Sequence, residues 1–143
     1  MKLIIFLLLT NTCFAQIVYS GGAGLSLNFV SVNAFAEAGT RVGSAGYIGA
    51  QVNFRSSNYP GLSAAPIIGY AWSWNNNKIH ELTTLFYAKA DYPIMANSGY
   101  KSYSHNPFGF GVRHYIYNTL VDLSYQQSQV QLTIGYSLNK IYK

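Results

Sequence analysis

The chain has a single cysteine, Cys13, and only 9% of its 143 residues are charged. A lone thiol closes no disulfide within the chain. Once the leader around it is cut away, none is left for catalysis or metal binding. The scarcity of charge excludes more, because an average soluble domain carries ~25% charged residues. A chain so poor in charge, with 13 tyrosines, eight phenylalanines and two tryptophans, is hard to keep soluble with one face of every element in water. Long apolar runs are missing too. The stretch from Leu3 to Leu9 is too short for a membrane-crossing helix, which needs ~20 residues. Nor is there a basic cluster. Nine Lys and Arg, less Lys2 in the leader, leave eight against four acids, and nowhere do they gather into the patch that nucleic acid requires.

What is present begins with that leader. Met1-Lys2 supplies a positive start, Leu3 to Leu9 an apolar centre, and Cys13-Phe14-Ala15 the small residues a signal peptidase reads. Residues 1–15 are therefore read as a cleavable signal peptide, with Gln16 the first mature residue and 16–143 a single domain. A lipoprotein anchored through Cys13 is disfavoured, since Thr10-Asn11-Thr12 lacks the Leu and the small residue its processing prefers.

From Ile17 to Phe29 the odd positions read Ile, Tyr, Gly, Ala, Leu, Leu, Phe, and the even ones Val, Ser, Gly, Gly, Ser, Asn. A period of two marks a β-strand, whose successive side chains point to opposite faces. The alternation predicts eight strands, at about 16–31, 34–42, 46–55, 65–74, 79–92, 107–117, 120–126 and 129–139. Their outward faces are apolar: Ile48, Ala50, Val52, Phe54 on the third; Ile68, Tyr70, Trp72, Trp74 on the fourth; Leu82, Thr84, Phe86, Ala88 on the fifth. Strand two offers only Ala34, Ala36 and Ala38. An apolar outside and a polar inside, repeated eight times behind an export leader, describe an all-β, eight-stranded antiparallel transmembrane β-barrel of a bacterial outer membrane.

The connections agree. Gly43-Ser44-Ala45-Gly46, Asn75-Asn76-Asn77 and Asn118-Thr119 are short and rich in residues that tolerate tight hairpins. The long ones, 56–65 and 93–106, both fall at the opposite end, as external loops do when both termini are periplasmic. Trp72, Trp74 and Tyr117 crowd one rim and Phe54, Tyr92 and Phe108 the other, where an aromatic ring meets both lipid and water.

All four acids, Glu37, Glu81, Asp91 and Asp122, share the inward parity with Arg41, Arg55, Lys89 and Arg113. Glu81, Arg113 and Asp122 are expected at similar depth on neighbouring strands, with Arg41 and Glu37 reaching across. Such a constellation suits either an ion path or acid–base site, or a structural plug of ion pairs. The plug is preferred, because side chains just fill an eight-stranded bore and leave no room for substrate.

The alternation and the inward acids and arginines resemble the small eight-stranded barrels of the outer membrane protein A transmembrane domain and outer membrane protein X type. That resemblance implies a lumen network of the kind formed by Glu37, Arg41, Glu81, Arg113 and Asp122. It also implies a last strand read by the barrel assembly machinery. Tyr136, Leu138 and Tyr142 keep the alternation there, although the final residue is Lys143 rather than an aromatic. The run His114-Tyr115-Ile116-Tyr117-Asn118 is similar to the His-x-Ser-Asn run of lipid A deacylases, which are barrels too. Ile116 stands where their nucleophilic serine would be, and without a nucleophile that route to acyl transfer is closed.

The expected protein is thus a non-enzymatic barrel without cofactor or metal. It sits among outer-membrane lipids, structural or binding an extracellular partner through the loop 93–106. Tyr100, Lys101, Tyr103 and His105 are the candidate contacts there, since Tyr, Ser, Asn and Gly make adaptable surfaces. A lipid A-modifying hydrolase, a narrow pore and a soluble lipocalin-like barrel are the alternatives. A tag near Ser98 should be labelled on intact cells and one at Asn76 should not; labelling at Asn76 alone inverts the topology.

Overall fold

In the computed structural model the described residues are 17–27, 31–56, 61–74, 82–96, 107–126 and 129–138. They form nine strand segments: β1 Ile17–Ser26, β2 Ser31–Val42, β3 Gly46–Ser56, β4 Gly61–Trp74, β5 Leu82–Ala90, β6 Tyr92–Ala96, β7 Phe108–Ile116, β8 Thr119–Gln126 and β9 Gln129–Ser137. Segments β5 and β6 are two halves of one stave. β4 pairs with β5 from Ile67↔Lys89 to Trp74↔Leu82, and with β6 from Gly61↔Ala96 to Ala64↔Tyr92. All pairings are antiparallel, and β1 pairs with β9 to close the ring. The result is an all-β, closed, eight-stranded antiparallel barrel.

The break in the fifth stave has a local cause. Pro66 lies within β4 and has no N–H to give a ladder, so pairing there lapses opposite Ala90 and Asp91. The Asp91 N–H donates to the Pro107 carbonyl at 2.8 Å, continuing the ladder on the β7 side; pairing with β4 resumes at Ala64↔Tyr92 in the same register, and an irregularity between Leu62 and Ser63 then shifts it by one residue.

The alternation locates the strands with three corrections. Strand one ends at Ser26 rather than 31, and strand two begins at Ser31 rather than 34, with Ser26 facing Ser31. The apolar parity switches from odd to even between Phe29 and Val32, and that switch, not the end of the alternation, marks the hairpin. Strand four begins at Gly61, and the fifth stave runs on to Ala96. Gly61–Ala64 and Pro93–Ala96 are therefore paired strand rather than loop. The signal peptide 1–15, and the remainder of the long loop at 97–106, lie outside the described residues.

Parity holds along the staves except on the fifth, where Thr84 is buried on the outward side and Tyr92, Pro93, Ile94 and Met95 are all exposed. No described residue on the outer face is Asp, Glu, Lys or Arg, and Leu25, Ile68, Phe86, Phe110, Ile134 and Leu138 are all exposed there. Trp72 and Tyr117 are exposed toward the end that carries turns 43–45 and 117–118, hereafter the turn end. Phe54, Tyr92 and Phe108 are exposed toward the other, the loop end.

The interior departs from a uniformly polar lumen. Toward its turn end stands an apolar cluster of Val18, Tyr47, Ala71, Leu85, Tyr87, Tyr115 and Leu120, which Ile67 joins from the level of Lys89, all buried. Its loop end is polar, with Asn33, Gln51, Lys89, Asp91, Gln126 and Gln131 buried. Period two assigns a side chain to a face. It does not say how apolar residues on the inner face divide along the axis.

Where β1 meets β9 the backbones come too close for a side chain. A Cβ on Gly24 would stand 1.9 Å from the Leu132 carbonyl oxygen, whereas one on Gly21, in the same strand, would meet nothing nearer than 3.3 Å. Gly24→Ala should therefore lower stability by about 1–3 kcal/mol in a urea melt of the folded barrel. Gly21→Ala should leave the midpoint close to wild type, and equal effects would contradict this closure.

A charged network across the bore as candidate functional site

Arg113 enters the lumen from β7 and is fully buried. Its Nη1 donates to Glu37 Oε2, on β2, at 2.7 Å, and its Nη2 approaches Asp122 Oδ2, on β8, at 3.5 Å. Arg113 and Asp122 are direct cross-strand partners, so their contact follows from register. The Glu37 contact does not, because β2 and β7 are not neighbours in the sheet. It spans the bore.

Tyrosines complete the network. The Tyr47 hydroxyl donates to Glu37 Oε1, and the Tyr87 hydroxyl lies 2.9 Å from both oxygens of Asp122. Arg113 Nη1 also donates to the Tyr115 hydroxyl at 3.2 Å. The guanidinium lies over the rings of Phe35 and Tyr87, 4.7 and 5.1 Å from their centroids, close enough for a cation–π attraction. Each carboxylate thus has one arginine and one tyrosine, the pairing that a buried charge needs.

These rings fit because glycines stand beside them. Tyr87 is paired on one side with Gly69 and on the other with Gly111, and Gly69 is paired in turn with Tyr47. A Cβ on Gly111 would lie 2.6 Å from the Tyr87 hydroxyl. Around this part of the wall the inward row reads Tyr, Gly, Tyr, Gly, each ring lying over a neighbour without a side chain.

Of the residues expected in the lumen, the structure brings together Glu37, Arg113 and Asp122. It places Arg41 elsewhere: half-buried at the turn end, its guanidinium donates to the Ser44 carbonyl in the β2–β3 turn. Two residues before a turn is too near the rim to reach the centre. Glu81 lies outside the described residues, as do Tyr100, Lys101, Tyr103 and His105. Tyr47, Tyr87, Tyr115 and Phe35 were missed. Their signal was available in the inward tyrosines registered against inward glycines.

Toward the loop end a second set of polar contacts begins. Asp91 accepts from Asn53 Nδ2 at 2.8 Å and from Gln126 Nε2, and Lys89 Nζ donates to Gln51 Oε1 at 3.3 Å. On the outer face Thr84 Oγ1 and His114 Nδ1 are 2.9 Å apart, which satisfies both groups on an otherwise apolar surface. Thr84 sits on the outward parity yet is buried to 1% exposure. A hydroxyl so enclosed is not presented to a substrate. Among the described residues no three His, Cys, Asp or Glu side chains gather as a metal site would need.

No protein-family model and no curated protein matches the chain. Among solved structures it is similar to one described as "De novo design of transmembrane beta-barrels", with a TM-score of 0.51 and 15% sequence identity. The match covers 85% of this chain and 94% of that one. At that identity the likeness is one of fold.

Arg113→Ala would strand two carboxylates in the bore. Removing one partner of a buried ion pair costs about 3–5 kcal/mol, so the barrel should unfold at lower denaturant. Adding Glu37→Gln and Asp122→Asn should recover part of the loss. A triple variant no more stable than Arg113→Ala alone would show that the charges are not what the arginine balances.

Proposed function

We propose that the chain is a non-enzymatic barrel of a bacterial outer membrane, closed to conduction. Its role is structural, or it presents to an extracellular partner the external loop read from the sequence at 93–106, of which Pro93–Ala96 is strand. The observation that carries this reading is the partition of charge. Every described Asp, Glu, Lys and Arg lies on the inner parity, and the outer face is an apolar belt with aromatics toward both rims. That surface suits hydrocarbon, with rings at the two interfaces, and a soluble barrel would expose it at great cost. The similarity to a designed transmembrane barrel supports the same placement, as does the export leader read in residues 1–15. The kinship with the outer membrane protein A and X barrels rests on the pattern and on the inward network.

The closed bore is supported by what fills it. Arg113, Tyr47, Tyr115, Leu85 and Leu120 are each fully buried, and together they occupy the turn-end half of a lumen that eight strands leave just wide enough for side chains. On fractionation the protein should follow the outer membrane, released by detergent and not by salt. Purified protein in planar bilayers should carry no steady current. Recovery in the soluble fraction would overturn the membrane placement, and a stable open channel would overturn the plug.

A further inference from the structure

Among the described residues of the outer face, His114 is the one ionisable side chain other than tyrosine, and it is exposed. It stands on β7 two residues short of Ile116, the turn-end limit of that strand, or about 7 Å along the strand. Strand tilt shortens this to about 5 Å of depth, so the polar tip of the imidazole reaches the border where hydrocarbon meets headgroups. An ionisable group on a spanning segment is costly, and it persists where it has a partner.

One partner is Thr84, whose Oγ1 lies 2.9 Å from His114 Nδ1. The two residues face each other across the β5–β7 ladder, and on its other flank Thr84 is paired with Trp72 of β4. Trp72 is exposed, whereas Thr84, on the same parity, is 1% exposed. A buried hydroxyl on the lipid side of a wall adds nothing to the apolar belt. What it does is hold one nitrogen of the imidazole and so set the direction of the other.

Among the described residues the hydrogen bond of His114 is the one to Thr84, and it engages Nδ1. In the imidazolium, or in the tautomer whose Nδ1 accepts from Thr84, Nε2 is a donor. A donor at that depth needs an acceptor, and the acceptors within its reach are those of the lipid. Phosphate is the strongest of them, since a hydrogen bond to an ionised acceptor is roughly twice as strong as a neutral one.

We infer that His114, positioned by Thr84, binds the phosphate of one glycerophospholipid in the leaflet at the turn end. The inference rests on the membrane placement proposed above. It needs neither a nucleophile nor an open bore.

Phosphatidylglycerol is the probe, added to the folded mature chain in octyl glucoside, a detergent without phosphate. Native mass spectrometry should show one lipid retained, and diacylglycerol with the same acyl chains should not be. His114→Leu should lower retention about tenfold, the scale of one hydrogen bond to a charged group. Thr84→Val keeps the imidazole but loosens it, and should lower retention about threefold, the scale of a neutral hydrogen bond; Thr84→Ser should restore it. Equal retention of phosphatidylglycerol and diacylglycerol would overturn the site, because acyl packing alone would then account for it. So would retention unchanged in His114→Leu. Flotation with phosphatidylglycerol vesicles separates this outcome from the membrane placement. A chain that floats but retains no lipid through His114 loses the site alone, and a chain that does not float loses both.

Discussion

The guanidinium of Arg113 is the point on which the interior turns. A permanently charged group sits at full burial in a bore with no room for a hydration shell, and everything near it is there to make that tolerable. Glu37 crosses from the far wall, Asp122 comes from the adjacent strand, and two tyrosines cap the carboxylates. Aromatic faces take up the flat sides of the cation. Glycines opposite the rings follow from the same demand, since a Cβ at Gly111 would displace the ring that holds Asp122. Buried ion pairs seldom add net stability over a well-packed apolar core. What this one supplies is a tie between β2 and β7, which share no ladder, and hence a fixed cross-section.

The two halves of the lumen divide their work along the axis. Toward the turn end, apolar and aromatic groups pack into one buried cluster. At the loop end, polar groups leave a cavity. The boundary is the Arg113 layer, where full burial and full charge coincide.

Much of this was legible in the chain. Period two identified the staves and assigned nearly every side chain to its face, because a strand has only two faces and burial of one fixes the parity. Asp122 beside Arg113 followed from counting back from a short turn. The Glu37 contact did not, because which residues meet across a closed barrel depends on the stagger of all eight staves, and a one-residue change in any hairpin alters it. Arg41 shows the limit: its parity was right and its depth wrong, and the Ser44 carbonyl was nearer than any carboxylate. The hairpin near Ser26 was misplaced for a related reason. Alternation runs straight through it, and only the change from odd to even parity betrays the turn. Pro66 was the remaining clue left unread, a residue without an N–H that foretold the break at Asp91.

The seam between β1 and β9 sets how the chain can come to be folded at all. Ser20 and Ser137, whose hydroxyls meet there, are 117 positions apart in sequence. Until the last strand exists, the first has an unpaired edge, and every intermediate presents two open edges and a face of exposed apolar side chains. Contacts of such long range are slow to form, and open edges invite pairing with other chains. The ring closes only with the final stave, and a chain cut short before Gln129 has lost the strand that closes it.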